Sequence, residues 1–75
     1  MPDFSIHIFR KFLKEQGLTI AQTYGTTEMW HRDDLEQPVY IDNSIEKLPS
    51  GLFRKNLEIL GITEGEFYQW LSLQN

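Results

Sequence analysis

Apolar side chains at Ile6, Phe9, Phe12 and Leu13 recur at helical spacing between Ser5 and Gln16, while His7, Arg10, Lys11 and Lys14 trace the opposite stripe. This pattern predicts an amphipathic helix. Asp3 or Ser5 is placed to accept from the free N–H groups of its first turn, and Gly17 suits the left-handed position that ends a helix. The period then changes to two: Leu18, Ile20 and Tyr24 alternate with Thr19, Ala21 and Thr23, which predicts a strand with one face on a core. Gly25 supplies the reversal into a second strand over Thr27 to Arg32, and Val39, Tyr40 and Ile41 form a third after a polar connection. An antiparallel meander follows.

Asn43 to Ser50 reads as a loop, and Pro49 with Gly51 opens a second helix whose apolar positions Phe53, Leu57 and Leu60 are spaced i, i+4, i+7. Gly61 ends it. Thr63 and Glu66 have the spacing of a capping box, and Phe67, Trp70 and Leu71 give the short helix after it one apolar face. Residues 1–75 thus form a single α+β domain: a two-layer sandwich, a three-stranded antiparallel sheet with helices on one face, ordered αβββα plus a short C-terminal helix.

Composition sharpens this picture. Apolar residues are 40% of the 75 and aromatic ones 13%, enough for a packed core, and the absence of cysteine leaves that core to hold the fold without disulfides or thiolate-bound zinc. No basic start leads into a long apolar run, and no stretch approaches the ~20 apolar residues of a membrane span, so a cytoplasmic protein with no membrane partner is expected. The net charge of -4 repels a polyanion at long range, and no DNA partner is expected. Distribution matters as well: Arg10, Lys11 and Lys14 form one basic group, Lys47, Arg54 and Lys55 another, and Arg32 stands apart. Arg54 and Lys55 fall in the first turn of the second helix, where free N–H groups and basic side chains together suit a phosphate.

Other chemistry is thinly represented. His31 is the natural acid–base candidate, yet no helper is visible beside it, and the bland reading is a partly exposed strand residue next to Trp30. His7 and His31 without a further ligand make no metal site, and Asp33 with Asp34 reads as a solvated turn rather than a cation cage. No metal or other cofactor is called for. Trp30 is the aromatic to watch, because the wrong strand parity would expose it as a partner surface.

The segments KFLKEQGL, YGTTEMWHR, EKLPSGLFRKNLEILGIT and TEGEF resemble the HicA-type toxins of bacterial toxin–antitoxin pairs over nearly the whole chain. Within Leu48 to Ile62, Gly51, Arg54 and Gly61 fall where that family has glycine, arginine and glycine. The resemblance implies a double-stranded-RNA-binding-domain-like fold used as a messenger-RNA endoribonuclease, whose activity rests on a histidine in a glycine-serine-histidine motif. Here the motif reads Gly25, Thr26, Thr27, so Thr27 occupies the histidine position, and a second family histidine falls at Asn43. A threonine hydroxyl does not serve as a base near neutral pH. His31 lies four strand residues on, about 13 Å away at roughly 3.3 Å per residue, too far to replace it.

Three functions are therefore weighed. One is a HicA-like protein with lost or weakened ribonuclease activity that binds RNA through Arg10, Lys11, Lys14, Lys47, Arg54 and Lys55 and pairs with an antitoxin protein. Another is a noncatalytic protein-interaction module using the sheet face or an edge strand. The third is a homo-oligomer subunit, since small domains gain stability by association.

Overall fold

Ser5 opens the first helix by accepting the Ile8 N–H on its hydroxyl at 3.2 Å, and the Asp3 alternative lies outside the described residues, which are 5–74 of this computed structural model. Helix α1 runs Ile6–Glu15 and buries the expected Ile6, Phe9, Phe12 and Leu13. Gly17 follows in the left-handed region, at φ +87°. Strands β1 (Thr19–Tyr24), β2 (Thr27–His31) and β3 (Val39–Asp42) form an antiparallel sheet in sequence order, followed by α2 (Ser50–Leu60) and α3 (Glu64–Ser72). The meander and the α+β architecture are those the hydrophobic pattern predicts.

Register decides which side chains enter the core. Trp30 pairs with Val39 and Glu28 with Ile41, and all four are buried on the helix side, while Met29 and Tyr40 alternate to the open side. Trp30 is therefore a core residue and not a partner surface. Its parity is the favourable one. Strand β1 departs from expectation: all six of its residues are exposed, including Ile20, which pairs with Trp30 and so sits on the helix side. Only Leu18, just before the strand, is buried. The physical reason is position, because β1 is an edge strand, its register shifts between Ile20 and Gln22, and α2 packs over the opposite edge, against β3.

The helical layer closes around Phe67. Its ring centroid lies 4.9 Å from Phe12 of α1 and 5.0 Å from Phe53 of α2, both edge-on, so α3 docks into the seam between the two longer helices. Such edge-to-face pairs add about 0.5–1.5 kcal/mol each beyond area burial. The capping box is formed: the Glu66 N–H donates to the Thr63 hydroxyl and the Thr63 N–H to Glu66 Oε1. Trp70 completes the dock by donating its indole N–H to Glu15 Oε1 at 2.8 Å.

Candidate functional site

The start of α1 is tied to the β3–α2 loop by an antiparallel bridge between Ser5 and Lys47 and by the Ile6 N–H donating to the Glu46 carbonyl. This seam leaves a groove of about 510 Å³ lined by His7 and Arg10 on the helix and by Asn43, Ser44, Ile45 and Lys47 on the loop. Two of the expected RNA-contacting cations, Arg10 and Lys47, thus come together, with His7 beside them. Among the described residues, Glu46 is the single carboxylate on the groove's lining.

Arg10 is not a free cation. Its Nε and Nη2 donate to the two oxygens of Glu28, whose Oε1 also accepts the indole N–H of Trp30 at 3.0 Å. Burial pushes the Glu28 carboxyl up, but hydrogen bonds from Trp30, Asn43 and Arg10 and the charge of Arg10 outweigh it and hold it below the usual glutamate range. The network holds Arg10, which lines the groove, in a hydrogen-bonded pair with the ionised Glu28.

The other expected contacts are dispersed. Helix α2 begins at Ser50 with Pro49 as its N-cap, so Arg54 and Lys55 lie in its second turn and not in the first, away from the free N–H groups. Arg54 instead meets Glu64 of α3 at 3.4 Å, and Lys55 lines a separate cavity against β3. Lys11 and Lys14 project from the exposed stripe of α1. Arg32, which stands alone in the sequence, ends α1 by donating to the Gln16 carbonyl while its Nε pairs with Asp34.

The turn carrying Gly25, Thr26 and Thr27 is held to the end of β3. Thr26 donates its hydroxyl to Asp42 Oδ1 at 2.9 Å, and the Asn43 N–H donates to the Thr26 carbonyl at 2.8 Å. The backbone N–H and hydroxyl of Ser44 also donate to Asp42, and the backbone bond leads in holding its carboxyl below the usual range. Thr27 and Asn43 are therefore neighbours across β2–β3, but their side chains diverge: Thr27 alternates to the open face with Met29 and His31, whereas the Asn43 amide supports Glu28 on the helix side. His31 is a half-exposed strand residue 3.7 Å from Asp33.

Comparison with family models, curated proteins and solved structures gave no match.

Two buried polar residues, Glu28 beneath Arg10 and Asn56 away from the groove on α2, were not singled out by sequence. Glu28 could have been flagged by its shared parity with Trp30, since a carboxylate two residues from a buried indole needs a donor of its own. Asn56, in the middle of the apolar stripe of α2, is buried with its Nδ2 unpaired among the described residues, at a cost of about 1–3 kcal/mol. Its signal was a polar residue directly before Leu57.

Proposed function

We propose that this chain is a HicA-like domain that binds RNA without cutting it. The observation that carries the reading is the convergence of His7, Arg10 and Lys47 on one groove beside the exposed Lys11 and Lys14. Phosphates of a single strand or a loop would meet the Lys47 ammonium on the loop wall and the exposed Lys11 and Lys14 on α1, with Arg10 held against Glu28, and these lysines offset locally the long-range repulsion of a net acidic chain. The absence of chemistry follows from Thr27. At the position that the resemblance reserves for a base, its hydroxyl stands on the open face, and the nearest imidazole on that strand, His31, is four residues away. On the same reading an antitoxin protein would cover the groove and compete with RNA.

The test is to incubate the purified protein with a fluorescent structured messenger RNA, following anisotropy and fragment length together. Salt-sensitive binding with intact RNA is expected. Cleavage that disappears in His7→Ala, Thr27→Ala or His31→Ala would refute the noncatalytic assignment, and RNA binding at no salt concentration would refute the RNA assignment.

A further inference from the structure

On the far edge of the sheet, α2 and β3 leave a second cleft. Its apolar part is a cavity of about 320 Å³ between Pro38 and Tyr40 on the strand side and Leu52, Asn56 and Ile59 on the helix side, with Lys55 at its margin. Asn56 is 4% exposed, and its Nδ2 has no hydrogen-bond partner among the described residues. Among the described residues, strand β3 pairs only with β2, so its other edge carries backbone groups with no ladder partner there. An edge strand flanked by a helix is the arrangement in which an added strand gains main-chain hydrogen bonds while alternate side chains drop into pockets.

Charge selects the occupant. A neighbouring cavity of about 310 Å³ shares Gln37 and Ile59 with the first and is lined by Asp34, Glu36 and Glu58. Asp34 is paired with Arg32, but neither Glu36 nor Glu58 has an ion-pair partner among the described residues. An apolar pocket thus runs directly into an acidic one. A nucleic acid would bring phosphates against these carboxylates, whereas a basic side chain would be drawn to them.

We propose that this cleft binds an extended peptide segment of a protein partner, with an apolar side chain in the Asn56 cavity and a lysine or arginine in the Glu36–Glu58 cavity. This surface is separate from the groove of His7, Arg10 and Lys47, so it stands or falls independently of RNA binding.

The probe is a set of labelled, end-capped peptides of threonine and valine, each carrying one leucine and one lysine at varied separation, with glutamate replacing the lysine in controls. Anisotropy should show saturable binding for at least one separation and none for its glutamate control. Binding should weaken about tenfold or more in the surface variant Leu52→Asp and in the double variant Glu36→Lys/Glu58→Lys, while Lys47→Ala leaves it unchanged. Amide exchange should slow over Val39–Asp42 on binding, and thermal melts verify that each variant is folded. The proposal is overturned if no separation binds at millimolar peptide, if folded Leu52→Asp or Glu36→Lys/Glu58→Lys binds as the parent does, or if a single-stranded RNA of mixed sequence binds in a way that Leu52→Asp weakens.

Discussion

Arg10 of α1 and Glu28 of β2 are joined fork to fork, Nε to Oε1 at 3.0 Å and Nη2 to Oε2 at 3.1 Å, with the guanidinium carbon 5.8 Å from the centre of the Trp30 ring. The pair is asymmetric, because the Glu28 side chain is 10% exposed and that of Arg10 is 26%. Arg10→Met strands a carboxylate that water barely reaches, whereas Glu28→Gln retains an acceptor for both Trp30 and Arg10. Urea unfolding at neutral pH should therefore show a loss of about 3 kcal/mol for Arg10→Met and about 1 kcal/mol for Glu28→Gln. The opposite order would mean that the guanidinium, and not the carboxylate, is the member that needs its partner.

The same pair sets an acid dependence. With the folded pKa of Glu28 below its unfolded value, the unfolded chain takes up the proton first as the solution is acidified. The stabilisation is fully present above the unfolded pKa of about 4.3 and is lost as pH falls from there through the lower folded value. Unfolding free energy measured between about pH 6 and 3 should fall in the parent and fall less in Arg10→Met, in which both the guanidinium hydrogen bonds and its charge are gone. An identical decline in the two proteins would show that Arg10 does not set the Glu28 pKa.

Local patterns carried the helices, and for a physical reason: Ile6, Phe9, Phe12 and Leu13 report a face that any neighbouring layer must cover, and Thr63 with Glu66 satisfies backbone groups within one turn. The sheet was legible in order but not in burial. Met29 and Trp30 are adjacent apolar residues, so either parity suits the strand until Trp30 pairs with the buried Val39. The alternation of Leu18, Ile20 and Tyr24 is equally real, yet nothing within β1 reveals that the helices lie over β2 and β3. The site failed in sequence for the same reason. Arg10 looks like one more cation on a wet stripe until β2 delivers Glu28 beneath it, and Arg54 leaves the first turn of α2 once Pro49 becomes the cap.

Helix α3 offers a separable test of how the core is closed. Thr63→Ala removes the hydroxyl that accepts the Glu66 N–H, and the cap is worth about 1 kcal/mol. Because Phe67 joins α1 and α2, loss of the cap should speed amide exchange along α3 and lower global stability by that amount, not merely loosen the chain end. Faster exchange in α3 with unchanged global stability would make the helix an appendage of the core.

The proposed RNA binding gives the sharpest contrast between cations that look alike in sequence. Lys47 lines the groove with His7 and has no ion-pair partner among the described residues, whereas Arg54 lies on a different cleft beside Glu64. A lysine that neutralises one phosphate of a single strand contributes about 0.7 to the slope of log affinity against log salt. Lys47→Ala should lower that slope by about this amount and weaken binding across RNA sequences alike, while Arg54→Ala should leave both unchanged. Equal effects from the two variants would move the RNA contact off the groove and onto a diffuse cationic surface, because only a localised site distinguishes a lysine on its wall from an arginine engaged elsewhere.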